Sequence, residues 1–584
     1  MNDSRTQHLR FPAWGATATL FVLSIVSTIT SIGNQFVQDD RPIISENALV
    51  HSLRIWPLFT QAYWPAPYPR ELYRPFTSTM FALEWVVGGG RPVAFRIVSI
   101  LLALAATIAI YRLAKRLLDP GPAWLAAALF AVHPVHVEAV AVAVNQAELV
   151  VAVLMAVMMT AYIDMRRGRE GRPGGAPTSA PTSAPTMRWI AMMGLGYLTA
   201  ALFKEHALLL PALMVAAELT VIEDPRPWRE RVAALRPFFL VLILVAVSFL
   251  AIRNAALEGD IKGSFTAEAL GGLGFGGRAL TMLGVVPEWV RLFVWPAHLQ
   301  ADYSPGEIVA ATHWGLAQTL GALSLIAAIA IAWLCRKTQP VITFGILWIG
   351  IALSLVSNMI VSTGIVLAER TLYLATAGVV IAAAGPLWSL GHTIYRRGSL
   401  GRIVAVCGLM AILGLGAARS AARQRVWHDL VTLWNQTVID APDSYRAQQA
   451  FGSVLWELHS EREAVGHYLR AIELYPKAWP LLLDYADKLR ERGHCDAALK
   501  YYRMVLDLTP QQSGPRASEV ACLIYTGDYA KASREARIGG GYGIQTGTFG
   551  LYGQIADSAL KANAPIGSVV LPPPIDSLPT VKKP

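Results

Sequence analysis

Apolar runs of about 18 or more residues recur along residues 1–420, and a run of that length can carry a helix across a bilayer. No other feature restricts the fold so tightly. Hydrocarbon offers no partners to backbone N–H and C=O groups, so such a chain folds as an all-α, polytopic membrane protein. The composition agrees. Of the 584 residues, 54% are hydrophobic and 15% charged, against about 25% charged in an ordinary soluble domain; mean hydropathy is +0.42. A formal net charge of +10 does not call for nucleic acid. Much of the Arg and Lys sits in short clusters between apolar runs, where it fixes orientation in the membrane. The cysteines lack CxxC spacing: Cys335 and Cys407 lie in or beside apolar runs, and Cys495 and Cys522 can pair if exported.

The order of the runs sets a topology. A retained first span, basic at its start, places the N-terminus in the cytoplasm and Asp39 and Asp40 outside. Residues 33–92 are too mixed to span. They hold "IWPLFTQAYWPAPYPRELYRPF", so short helices lying at the interface are expected, with Trp56, Tyr63 and Trp64 read as interfacial anchors ahead of the alternative, sugar platforms. A second span near 93–111 ends in the basic turn "YRLAKRLLDPGP". The run 124–164 is too long for one span; its polar interruptions, "HPVHVEA" and "NQAEL", mark an outer turn. Residues 166–187 read as a cytoplasmic, disordered Pro/Ser/Thr linker. The run 188–222 likewise turns outside at "FKEHA". Further spans fall near 237–252, 314–335, 341–360, 371–390 and 402–418, while "VVPEWVRLFVWPAHLQADYSP" is interfacial or re-entrant. About eleven spans result, with the C-terminus outside.

On this topology Asp39–Asp40, His133–Glu138, Asn145–Glu148, Lys204–Glu205 and Glu369–Arg370 all fall at outer membrane ends. Ionisable groups near membrane depth are costly and point to function, and five on one side point to one polar cavity. Each also has a plainer reading. The aspartates can be a solvated loop or helix caps, and Lys204–Glu205 and Glu369–Arg370 local ion pairs closing helix ends. His133 and His136 with Glu138 are not read as a metal site, because Pro134 breaks the helix and HExxH spacing is absent.

From about 421 the composition turns soluble. "GSVLWELHSEREAVGHYLRAIELYP" and "ADKLRERGHCDAALKYYRMVLDLTP" align with a period of 34. Gly452 matches Ala486, Ala464 matches Ala498, Tyr468 matches Tyr502 and Pro476 matches Pro510, which is the tetratricopeptide pattern. A repeat domain over 421–561 is expected, with repeats near 445–478 and 479–512, a degenerate third, and a helical cap at 426–444. Residues 562–584 read as a disordered Pro-rich tail.

Several segments in order, "QDDRPIISEN", "LYRPFTSTMFALEW", "FAVHPVHVEAVAVAVNQAEL", "LFKEHALLLPAL", "WPAHLQADYSP" and "AERTLYLATAG", followed by the repeats, resemble the TMTC-type (transmembrane and tetratricopeptide-repeat) O-mannosyltransferases and their bacterial relatives, a branch of the GT-C glycosyltransferases. The family's Gly-Arg-Ala-Glu stands here as Asn145-Gln146-Ala147-Glu148. The resemblance implies transfer of a mannose or other hexose from a polyprenyl-phosphate carrier, outside the cytoplasmic membrane. The acceptor hydroxyl is expected on protein; the repeats would either offer it a peptide-binding groove or serve as rigid packing for the membrane domain. Adjacent side chains do not face one point, so one first-loop aspartate would be the base, Asp40 favoured over Asp39, and the other would orient a loop or a helix start. Outward cations would hold the leaving phosphate: Lys204 and Arg370 first, then Arg74. His133, His136, Glu138, Asn145, Glu148, Glu205, Glu369 and Tyr373 would line the cavity, with no cofactor and no metal expected. The competing readings are a ligase or polymerase of lipid-linked oligosaccharides, and a non-enzymatic membrane scaffold.

Overall fold

The computed structural model describes residues 13–66, 68, 71–168, 185–259 and 266–574. The basic N-terminal start, most of the expected linker at 166–187 and the end of the expected tail lie outside them. The described chain divides into two units, residues 1–303 with 308–440, and residues 304–307 with 441–584.

The first unit is a helical bundle. Helix α1 (Ala13–Thr28) leads into the first loop. There the short helix α2 (Ile55–Thr60) precedes α3 (Pro75–Gly88) and the long α4 (Pro92–Leu117). Proline at the first helical turn of α3 and α4 suits a position whose N–H has no helical partner. Gly89, at φ +61°, closes α3 in the left-handed conformation that glycine adopts without strain.

The run 124–164 turns where its polar interruptions lie. It forms α5 (Pro120–Val132), the short α6 (Val137–Ala141) and α7 (Gln146–Arg166). The run 188–222 forms α8 (Met187–Phe203) and α9 (Leu210–Thr220), broken at Lys204. Next come α10 (Trp228–Ala256), α11 (Phe275–Val294), α12 (Leu316–Cys335), α13 (Pro340–Ser354), α14 (Tyr373–Tyr395) and α15 (Ser399–Gln424). Helices α13 and α14 cross at Gly345 and Gly378. A Cβ on Gly345 would stand 2.6 Å from the Gly378 carbonyl oxygen, so the two backbones meet with only small residues between them.

The span count differs from the sequence expectation of about eleven. Among the described residues seven helices are long and apolar enough to cross a membrane, or eight if the pair bent by 49° at His133 is one span. Helix α8 (17 residues), α9 (11 residues) and α13 (15 residues) are too short. The polar motifs that end or begin these helices break them before a full crossing is complete. Helix α11 is not among the spans.

Helix α16 (Leu430–Asp440) belongs to the first unit, so the segment expected to cap the repeats does something else. Leu433 and Trp427 are buried with Val37, Ile43, Ile44 and Phe95 in a core beneath the first loop. The domain boundary therefore lies at 440, not 420.

In the second unit, helix pairs repeat at the expected period. α17 (Tyr445–Glu457), α19 (Trp479–Glu491) and α21 (Ser513–Tyr525) begin 34 residues apart. Their partners α18 (Glu461–Leu474), α20 (Cys495–Leu508) and α22 (Tyr529–Gly541) do the same. The third pair is complete rather than degenerate, and α23 (Thr546–Lys561) follows it. Ala464, Ala498 and Ala532 are fully buried at equivalent positions where paired helices meet. Cys495 and Cys522 form a disulfide between the second and third pairs.

Candidate functional site

Each polar segment of the first unit interrupts a helix, and each interruption opens a new helical turn with exposed N–H groups. Glu138, Glu148, Glu205 and Glu369 all sit in the first turn after such a break. A carboxylate there is stabilised by the helix dipole and the free N–H groups. The local sequence thus explains why acids gather where the helices break.

Tertiary packing then pairs these acids with cations from other segments. Arg74 forms a two-pronged ion pair with Glu205, Nε to Oε2 at 3.1 Å and Nη2 to Oε1 at 2.5 Å. Lys204 pairs with Glu148, and Arg370 with Glu138. The Arg370 backbone N–H also donates to Glu138 Oε2 at 2.8 Å, and Asn145 Nδ2 donates to the Glu138 carbonyl at 3.1 Å. The pairs sense one another: Glu148 acts on Arg74, and both Glu148 and Asp39 act on Arg370. Burial works against charge on Glu205, but Arg74, with help from Lys204, holds its carboxyl well below the usual range. Of the three cations Arg370 is the most open, its side chain 22% exposed against 11% for Arg74 and 9% for Lys204.

The two aspartates part company. Asp40 is wholly buried, and its carboxylate accepts from Arg96 Nη2 at 2.9 Å, Val144 N–H at 2.9 Å and Ala143 N–H at 3.2 Å. Arg96 also donates to the Gln35 carbonyl at 2.6 Å, so the pair ties the first loop to α4 and to the turn before α7. Burial pushes the Asp40 carboxyl up against the opposing pull of Arg96, but no surface of Asp40 is open to an acceptor. Asp39 is half-buried and its charge reaches Tyr63 and Arg370. The favoured assignment of the base to Asp40 therefore conflicts with its geometry: the turn at 142–145 occupies that carboxylate.

Both histidines are hydrogen-bonded within the fold. His133 Nε2 meets the Phe293 carbonyl at 3.1 Å while its Nδ1 accepts from Val135 N–H at 3.4 Å. His136 Nε2 meets Thr376 Oγ1 at 2.6 Å, its ring 4.3 Å from that of Tyr373. Glu369 faces away from the Arg370 pair, accepting from Gln300 N–H at 2.6 Å and the Tyr303 hydroxyl at 3.2 Å. Among the described residues no group of three or more His, Cys, Asp or Glu side chains is arranged to hold a metal ion.

Sequence reasoning missed Arg96, Tyr303 and the role of Tyr63. Tyr63 was read as an interfacial anchor, yet it is buried, with the Arg74 guanidinium 5.3 Å above its ring. Arg96 carried a usable signal, a lone cation inside an apolar run. Gln146, standing where the family has arginine, is fully buried and donates to Glu84 at 3.0 Å and to the Phe95 carbonyl at 2.9 Å. It points into the core and not toward the ion pairs.

Comparison with known proteins agrees with the resemblance. Residues 75–174 match the family profile of dolichyl-phosphate-mannose-protein mannosyltransferase. A protein O-mannosyl-transferase of Caenorhabditis elegans is 23% identical over 78% of this chain and 62% of its own length. Tmtc2 of Drosophila melanogaster, also a protein O-mannosyl-transferase, is 35% identical over 34% of this chain and 21% of its own. TMTC1 of Homo sapiens is 24% identical over 79% and 55%. The chain thus spans less than two thirds of the length of these relatives. Among solved structures, the apo oligosaccharyltransferase of Archaeoglobus fulgidus aligns with a TM-score of 0.43 at 14% identity, over 75% of this chain and 58% of that one. The same organism's AglB in complex with an inhibitory peptide and a dolichol-phosphate gives 0.41 at 12%, over 70% and 55%.

Proposed function

We propose that this chain, which is similar to the TMTC-type protein O-mannosyl-transferases, is an integral-membrane glycosyltransferase. It moves a hexose from a polyprenyl-phosphate donor to an acceptor hydroxyl on protein. The observation that carries this reading is the joining of Asp39, Arg74–Glu205, Lys204–Glu148 and Arg370–Glu138 into one electrostatically linked cluster.

Asp39 is the base. Its carboxylate takes the proton of the acceptor hydroxyl as that oxygen attacks the anomeric carbon. The bond from that carbon to the phosphate oxygen breaks, and the lipid phosphate leaves with the electron pair. Arg370, the most open of the three cations, meets the charge that develops there, and Lys204 and Arg74 add to the field it feels. The reaction as proposed draws on no cofactor. Asp40 holds the loop that presents Asp39.

The reaction is assigned to the outer face of a cytoplasmic membrane, with the repeats on the same side. Basic turns such as Arg112–Lys115–Arg116 favour the cytoplasm. The Cys495–Cys522 disulfide favours an oxidising compartment for the repeats, where their groove would receive the acceptor protein. A scaffold gives the clustered ion pairs nothing to do.

The test is transfer of labelled hexose from polyprenyl phosphate to protein by the purified full chain. Asp39→Asn should cut the rate at least a hundredfold with an unchanged thermal midpoint. Full activity in Asp39→Asn would remove the proposed base, and transfer from a pyrophosphate-linked oligosaccharide instead would replace the donor.

A further inference from the structure

Two buried side chains beside the Arg74–Glu205 pair carry polar atoms that the ion pairs do not use. Tyr63 is 5% exposed, and its hydroxyl has no hydrogen-bond partner among the described residues. Its ring lies under the Arg74 guanidinium at 5.3 Å. His206 follows Glu205 in sequence, is 6% exposed, and neither Nδ1 nor Nε2 has a partner among the described residues. An unmatched buried donor or acceptor costs about 1–3 kcal/mol, and native structures rarely carry one without a reason. Here three such atoms adjoin one bidentate ion pair.

Their chemistry narrows what they match. Burial keeps the His206 imidazole neutral, against the pull of Glu148 and Glu205. One ring nitrogen therefore donates and the other accepts. Burial also holds the Tyr63 phenol far above neutrality, and the charges of Asp39 and Glu205 add to that, so its hydroxyl stays a neutral donor. A phosphate would draw on cations and charge-assisted bonds. A sugar hydroxyl, which both donates and accepts, suits a neutral donor on one side and a neutral donor–acceptor on the other. The forked Arg74–Glu205 pair beside them offers the bidentate contacts that neighbouring hydroxyls of a pyranose ring present.

We propose that Tyr63 and His206, beside Arg74–Glu205, bind ring hydroxyls of the transferred hexose, and so select the sugar. This assignment rests on the glycosyltransferase reading. It separates the donor site into a sugar end, near Tyr63 and His206, and a phosphate end at Arg370.

The test uses the full chain in lipid nanodiscs, with Tyr63→Phe and His206→Gln. The readouts are KM for hexosyl polyprenyl phosphates differing in one hydroxyl configuration, affinity for polyprenyl phosphate without a sugar, and the ligand-free thermal midpoint. Tyr63→Phe keeps the ring. It should raise KM for the preferred donor about tenfold, the worth of roughly one hydrogen bond, and flatten the preference among hexoses. Affinity for the sugar-free lipid phosphate should not change. Its ligand-free thermal midpoint should stay level or rise, because an unmatched hydroxyl has been removed; a purely structural tyrosine would lower it. His206→Gln should also flatten the preference. If both variants keep wild-type donor preference, or lose affinity for the sugar-free phosphate equally, the assignment is overturned while the enzyme reading stands. If the wild-type chain transfers no hexose from any such donor, the enzyme reading itself fails.

Discussion

The Asp40 carboxylate and the Arg96 guanidinium meet at 2.9 Å with both side chains completely shielded from solvent. They join residues 56 positions apart and place the first loop over α4. Breaking one side of such a pair leaves a bare charge in a dry interior, at a cost of about 3–5 kcal/mol.

Asp40→Leu and Arg96→Met should therefore each lower the thermal midpoint sharply, and the double variant should lie above the worse single one. Thermal unfolding of all three in detergent checks this. A double variant as unstable as the sum of the singles would show that the pair is not the coupling unit.

Glu84 predicts a pH effect. Burial pushes its carboxyl from 4.5 up to about 8, with Gln146 and Arg96 opposing. Between those values the folded chain holds a proton that the unfolded chain releases, so stability falls as pH rises through that window. Glu84→Gln should raise the thermal midpoint near pH 8 and change it little near pH 4.5. Equal shifts at both pH values would place the effect in packing and not in titration.

The Gln146–Glu84 contact makes a sharper claim about the position where the family carries arginine. Gln146→Arg should be tolerated while Glu84 is present to pair with it, and should become strongly destabilising with Glu84→Gln. A double-mutant cycle on thermal midpoint measures the coupling, expected at about 1–3 kcal/mol. Additive effects would mean that the two do not interact.

The disulfide between Cys495 and Cys522, 27 residues apart, closes a loop worth about 3.5 kcal/mol by chain entropy. Reductant, or Cys495→Ala with Cys522→Ala, should lower the midpoint of the repeat transition and leave that of the membrane unit in place. In cells, only alkylation after reduction should label these two thiols. Labelling without reduction would put the repeats in a reducing compartment.

Much of the architecture was legible because polar breaks in apolar runs leave few choices. "HPVHVEA", "NQAEL", "FKEHA" and "AER" each became a helix break, and charged residues at those breaks meet in ion pairs. Equally readable was the 34-residue spacing, since every repeat buries the same small residue. Span number was not, because a run of apolar residues does not reveal how far its helix continues before a break; α8, α9 and α13 stop early. Nor was the choice between Asp39 and Asp40. Adjacency says that the two face apart, but which one turns inward depends on backbone N–H groups of Ala143 and Val144, more than a hundred residues along the chain. Tyr63 was missed for a similar reason. In an aromatic, proline-rich stretch every ring looks like a membrane anchor until Arg74 is seen above one of them.

The pairing of Arg74, Lys204 and Arg370 with Glu205, Glu148 and Glu138 has a kinetic consequence. Each cation is already neutralised by an internal carboxylate, so in the proposed reaction the cluster would work as an ion exchanger and not as a trap. An arriving phosphate would compete with a tethered anion for its guanidinium, and a departing one would be replaced at once by the same anion. Binding would thereby be kept from becoming too tight, and the spent lipid carrier would leave without stranding a bare charge.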